Sequence, residues 1–195
     1  MDNLKIKIIL GSTREGRFGD KAAQWILEAA KKKEGVDVEL LDLRDYPMPF
    51  FNQAVSPSAI KEPYADETVA RWTKKIAEAD AYIFAATEYS HGYSAVLKNA
   101  LDWVYREWNN KPVGFVAWGG VGGARSVEQL RLVSVELQMA PMRNAVHIVA
   151  PWMLTNSDGT LKPGALDPYA AAAEGVLTQL IWWGKALKAA REGKS

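Results

Sequence analysis

Five short apolar runs alternate with stretches of helical period along this chain, and no other feature limits its possible folds so sharply. Lys5–Leu10 (KIKIIL) is β-branched and apolar, and Ala22, Trp25, Ile26, Ala29 and Ala30 then recur at helical spacing up to Gly35, a C-cap residue. Val36–Leu43 reads as a second strand, Val69, Trp72, Ile76 and Ala79 as a second helix, and Ala81–Ala86 (AYIFAA) as a buried central strand. Val96, Leu97, Ala100, Leu101 and Val104 mark a third helix, Lys111–Trp118 a fourth strand, and Val127, Leu130, Ser134 and Leu137 a fourth helix. Asn144–Val149 is the fifth strand, and an Ala-rich helix ends the chain before a terminal REGKS. The connections 44–64 and 150–164 read as long surface loops.

This alternation predicts an α/β fold, a doubly wound five-stranded parallel sheet with helices on both faces. Right-handed crossovers leave few strand orders, and in all of them ligands bind at the carboxyl ends of the strands. Three loops lie there, 11–19, 87–94 and 118–124, and all are rich in Gly and polar residues. At 195 residues, with 48% hydrophobic and 24% charged residues, one soluble domain spanning 1–195 is expected. A net charge of +1 points to neither nucleic acid nor an anionic membrane. Cysteine is absent and there are two histidines, so no metal site is expected. The N-terminal MDNLKIKIILGS has no long apolar segment and no small-residue cleavage pattern, so the expected location is cytoplasmic.

The first loop, LGSTREGRFGD, lacks the lysine and hydroxyl pair of a Walker loop and the GxGxxG of a dinucleotide loop. It offers hydroxyls at Ser12 and Thr13, a guanidinium at Arg14, and N–H groups where a helix begins. Those donors suit a terminal phosphate monoester; a capped loop with a solvated arginine is the other reading. In the second loop, TEYSHGYS, Tyr89 and Tyr93 either stack on a planar ligand or pack on the next helix. The third, WGGVGGA, has four glycines in five positions, more than a turn demands, which favours close approach of backbone to a ligand. Together the loops describe a planar heteroaromatic ring with one phosphate, which is FMN.

Gly11-Ser12-Thr13-Arg14, Thr87-Glu88-Tyr89, the stretch LKNALDW at 97–103, and Gly119-Gly120-Val121-Gly122-Gly123 resemble the NADPH-dependent FMN reductase family over about residues 5–150. LLDLRDYPMPFF at 40–51 is also similar to that family. The resemblance implies a flavodoxin-like sheet of order 2-1-3-4-5. It places the FMN phosphate on Gly11, Ser12, Thr13 and Arg14, with Phe18 and Gly19 at the helix start. Thr87, Glu88, Tyr89, Ser90 and His91 would follow the ring and ribityl chain, and Gly119, Gly120 and Gly122 the pyrimidine edge, with Trp118 nearby. Arg17 stands where many members carry a small hydroxyl residue, so it either adds a phosphate contact or faces water. His91 either touches ligand or faces solvent, and His147 reads as structural.

The function so implied is hydride transfer from NADPH (or NADH) to bound FMN and on to a flavin, quinone or similar small acceptor, with no side chain assigned as catalytic. The alternative is a non-enzymatic flavodoxin-type FMN electron carrier, although such carriers are strongly acidic and this chain is not. A phospho-receiver would need acidic residues where Gly11-Ser12 stands. Trp182-Trp183 cannot both enter one narrow core stripe, which suggests an oligomer contact, and the resemblance implies a homodimer or homotetramer.

Overall fold

In the computed structural model, which describes residues 2–60 and 64–193, five parallel strands form one sheet in the order β2-β1-β3-β4-β5. The strands are β1 (Leu4–Gly11), β2 (Val36–Asp42), β3 (Ala81–Thr87), β4 (Pro112–Gly119) and β5 (Ala140–Val149). Between and after them run α1 (Gly19–Lys31), α2 (Glu67–Ala77), α3 (Ala95–Asp102), α4 (Ala124–Glu136) and α5 (Ala170–Arg191). The expected alternation and order are both present. Lys61–Pro63 of the first long loop and the last two residues of REGKS lie outside the described residues.

Side chains alternate between the two faces of a strand, and here that alternation divides the core in two. Ile9, Tyr82, Phe84, Val113 and Phe115 pack with Trp72 of α2, Leu97 of α3 and Leu130 of α4. Ile8, Leu10, Ile83, Val116 and Val146 pack with Ile26 of α1 and Leu177 and Leu180 of α5. Every residue of β3 is buried, as expected of a central strand covered on both sides.

Strand boundaries differ from the sequence reading in several places, two of them at β5 and β2. β5 begins at Ala140 rather than Asn144. Pro141 is tolerated because β5 is an edge strand, and the β4–β5 register shifts between Val113 and Phe115. β2 ends at Asp42, whose carboxylate accepts the Arg44 N–H at 2.9 Å and turns Leu43–Asp45 into a short 3-10 turn. The loop that follows is also anchored. Asn99 of α3 bonds to Pro49 O and Phe51 N, both at 2.9 Å, and the Trp103 indole donates to Pro49 O at 2.7 Å.

Candidate functional site

Because the strands are parallel, the connections after β1, β3, β4 and β5 meet at one edge of the sheet. They enclose a groove of about 310 Å³, near the lower end of the range for small-molecule sites. The first loop supplies Arg14, Gly16, Arg17 and Phe18, with Lys21 from α1. The end of β3 supplies Thr87, Glu88 and Tyr89, and the end of β4 supplies Trp118, Gly119 and Gly120. The three loops chosen from sequence therefore converge. A fourth wall, Pro151, Trp152, Thr155 and Gly159, comes from the loop after β5, which sequence reading treated as a surface connection. The strand-end rule covers that loop equally and could have found it.

In the first loop, Phe18 precedes α1 with no side-chain cap, leaving first-turn N–H donors open to an anion. The exposed Arg14 guanidinium has no ion-pair partner among the described residues. Arg17 behaves differently. It is 3% exposed, so of its two readings the one in which it faces water is overturned. Its Nε donates to Asp20 at 2.8 Å, its Nη1 to Asp42 at 2.9 Å and also to Ser12 O, and its Nη2 pairs with the second Asp42 oxygen. Burial opposes the Arg17 charge, but hydrogen bonds with Asp42 and Asp20 outweigh it and raise the pKa above the ordinary arginine value. Burial likewise opposes ionisation of Asp42, and Arg17 with the Arg44 N–H holds its carboxyl below the usual range.

Ser12 is buried, with its hydroxyl 3.0 Å from Tyr89 Oη, which links the first loop to the second. Thr13 is exposed and lines a neighbouring depression with Met48, Val96 and Asn99. Gly11 and Gly19 do not line the groove; a Cβ on Gly11 would press on Leu97 and one on Gly19 on Leu10 and Trp118.

Tyr89 and Gly92 exchange two N–H···O bonds of 2.9 Å, closing a turn in which Ser90 and His91 have φ of 48° and 67°. Positive φ at both central residues is the mark of a type I′ turn. Neither Ser90 nor His91 lines the groove; the exposed His91 is held by its carbonyl, which accepts from Gln129 Nε2 at 2.9 Å. Tyr89 stays partly exposed on the wall, whereas Tyr93 packs on the core beside α3. The Glu88 carboxylate turns inward and caps α4, accepting the Arg125 N–H at 3.2 Å and Nη1 at 2.8 Å.

The glycine-rich turn corrects the premise drawn from its composition. Gly122 and Gly123 both have φ of 70°. A Cβ on Gly122 would come within 2.8 Å of His147 Cβ, and one on Gly123 within 2.6 Å of Ala117 Cβ. His147 Nδ1 lies 3.0 Å from Gly122 O, which bears out its structural reading. The turn therefore needs two glycines for its own packing. Gly120 has open space, its nearest neighbour the Trp152 indole at 3.8 Å from a Cβ position. Trp118 is buried and meets Phe18 at a ring separation of 6.1 Å.

Asp42, Arg125 and Trp152 were not singled out by sequence reasoning. For the first two no local signal marks the ion pair, because the charged partner lies 25 or more residues away. Among the described residues no cluster of His, Asp or Glu is placed to hold a metal ion, and no helix is long and apolar enough to cross a membrane.

A model of the family described as NADPH-dependent FMN reductase matches residues 4–152. An NAD(P)H-dependent FMN reductase of Schizosaccharomyces pombe is 37% identical over 166 residues, covering 84% of this chain and 79% of its own length. An NAD(P)H:quinone oxidoreductase of Solanum tuberosum is 33% identical over 141 residues, covering 70% of each protein. Among solved structures, the flavoenzyme NAD(P)H:(acceptor) oxidoreductase of Paracoccus denitrificans superposes with a TM-score of 0.72 at 20% identity, over 94% of this chain and 98% of that one. At that identity the likeness speaks for the fold.

Proposed function

Because this chain belongs to the NADPH-dependent FMN reductase family, it is an FMN-dependent NAD(P)H oxidoreductase, and we propose that FMN binds in the groove at the strand ends. One observation carries the placement: an uncapped helix start beside a free arginine opens onto a groove walled by Phe18, Tyr89, Trp118 and Trp152. That donor set fits a phosphate monoester attached to a flat ring. Arg14 and the first N–H groups of α1 would hold the phosphate, and the Thr13 side chain, on the neighbouring depression, would not. The backbone of 87–90, the Tyr89 ring, and Gly119 and Gly120 would flank the ring system.

Held by Arg14 and the first N–H groups of α1, FMN would supply the hydride and electron-transfer chemistry between NAD(P)H and a small acceptor. The chain's own part is binding, orientation and exclusion of water. Glu88 is committed to Arg125, and His91 lies off the wall, so no side chain is assigned a proton-transfer role. The relatives' names support free flavins and quinones as the acceptor classes. A cytoplasmic location and a homodimeric or homotetrameric state complete the proposal. The assembly reading is supported by Trp182, 64% exposed on α5 with Trp183 packed edge-on against it.

The test is to load the purified protein with FMN, desalt it, and add NADPH without oxygen. A retained flavin band that bleaches on NADPH and recovers with menadione is the expected result. A protein that neither retains flavin nor binds it in a titration would overturn the placement. Light scattering of the same sample reads the assembly, and a monomer would overturn that part.

A further inference from the structure

The loop that offers donors to the phosphate has three successive carbonyls, at Ser12, Thr13 and Arg14, and each is gripped by an arginine. Arg17 Nη1 reaches Ser12 O. Arg44 reaches Thr13 O through Nε at 3.4 Å and Arg14 O through Nη2 at 2.6 Å. A carbonyl turned toward an anion would repel it. In a planar trans peptide the next residue's N–H points opposite to the carbonyl, so each held oxygen turns the following N–H away from its arginine; the Arg14 N–H reaches Ser12 Oγ at 3.5 Å, and those of Thr13 and Glu15 are left for an anion. Successive N–H groups on one side form an anion-binding concavity.

Both arginines are anchored on the same carboxylate. Asp42 accepts from Arg17 Nη1 at 2.9 Å and pairs with its Nη2, and it accepts the Arg44 backbone N–H at 2.9 Å. It stands at the last position of β2, paired in register with Leu10, two residues before Ser12. Arg17, meanwhile, faces two carboxylates, Asp42 and Asp20, and every nitrogen of its guanidinium is engaged within the protein. The cation of this loop without an ion-pair partner among the described residues is Arg14.

We propose that Asp42 is the positioning residue of the phosphate site: acting through Arg17 and Arg44 it sets the carbonyls of Ser12–Arg14, and Arg17 is a strut of the site and no ligand of the phosphate. This rests on the assignment of FMN to the groove. It also accounts for an arginine at a position where phosphate contact would otherwise be expected.

The experiment compares FMN with riboflavin, which shares the ring and ribityl chain but has no phosphate, by titrating flavin fluorescence against wild type, Asp42→Ala, Asp42→Asn and Arg44→Ala. Wild type should prefer FMN. Asp42→Ala should weaken FMN at least about tenfold, on the scale of a lost charge-assisted pair, with riboflavin affinity changed by less than about twofold. Asp42→Asn should fall between the two. Arg44→Ala, at an exposed side chain, should lower the same FMN-to-riboflavin ratio by a smaller factor, and it carries the test if Asp42→Ala does not fold. A preference for FMN kept by the Asp42 and Arg44 variants, or an equal loss of both ligands, would overturn the positioning role alone. A wild type that binds FMN no better than riboflavin would overturn the phosphate site itself.

Discussion

Ser90 and His91 occupy the left-handed region of backbone space, at φ of 48° and 67°, where an L side chain costs roughly 1–2 kcal/mol. Asn-Gly is the pair this turn type favours, yet the chain has Ser-His. The strain is held in place by the Tyr89–Gly92 bonds and by Gln129 on the His91 carbonyl. Replacing Ser90→Asn together with His91→Gly should therefore stabilise the protein by about 0.5–1 kcal/mol, the relief of strain being partly offset by the extra freedom of glycine when unfolded. A urea titration checks this, and an unchanged or lower midpoint would contradict it. Arg14 and Arg17 give the second lesson at this scale. They are identical in type and three positions apart, yet Arg17 is a buried strut on Asp42 and Asp20 while Arg14 has no ion-pair partner among the described residues.

Among the elements, the end of α2 rests on a buried charge. Lys111, just before β4, donates to Ile76 O at 3.1 Å, to Ala77 O at 3.2 Å and to Tyr82 Oη at 3.2 Å, so it caps α2 from beneath. Burial, with Arg191 adding to it, pushes its pKa down to about 8. Above pH 8 the folded protein gives up this proton before the unfolded chain does, since an unfolded lysine titrates near 10.4. The unfolded state then binds more protons, so this residue makes stability rise with pH between about 8 and 10.4. Burial raises the Tyr82 hydroxyl well above its usual value, which works in the opposite sense only as an unfolded tyrosine begins to ionise near 10. Stability measured in urea from pH 7.5 to 9.5 should accordingly rise less with pH in Lys111→Met than in wild type. Identical slopes would show that Lys111 does not titrate there. The LKNALDW stretch is the counterpart in α3. Its residues were legible as a family mark, but their physical work, Asn99 and Trp103 bracing 49–51, became apparent only when the loop was seen against the helix.

Across the whole molecule, α5 closes the structure by tying the chain's end to its beginning. Asp80 accepts the Lys5 N–H at 3.0 Å, Lys188 at 2.8 Å and Arg191 at 3.0 Å, while Lys188 also reaches Asn3 O. Burial alone would raise the Asp80 pKa, but Lys188 and the Lys5 N–H more than reverse it and hold the carboxyl below its ordinary value. A depressed carboxylate contributes stability above its unfolded pKa, near 3.9, and loses it as pH falls through the folded value. Asp80→Asn should thus be less stable than wild type at pH 7, and the gap should narrow below pH 4. Amide exchange in the last turn of α5 should quicken in the variant. An equal gap at both pH values would place the effect outside this carboxylate.

The sequence by itself determined the elements, the parallel sheet and the loops that could hold a ligand, because apolar period, glycine and proline act over a few neighbouring residues and are written locally. It also carried the family marks from which the strand order and the cofactor were expected. Tertiary structure decided the rest: that Gly122 and Gly123 serve their own turn, that Trp152 walls the groove, that Glu88 turns inward to Arg125, and that Arg17 belongs to Asp42. Apart from the loop of Trp152, which the strand-end rule could have reached, each of these depends on partners brought together from distant parts of the chain. The free energy of a hydrogen bond or a close contact depends on that meeting, and no local pattern records it.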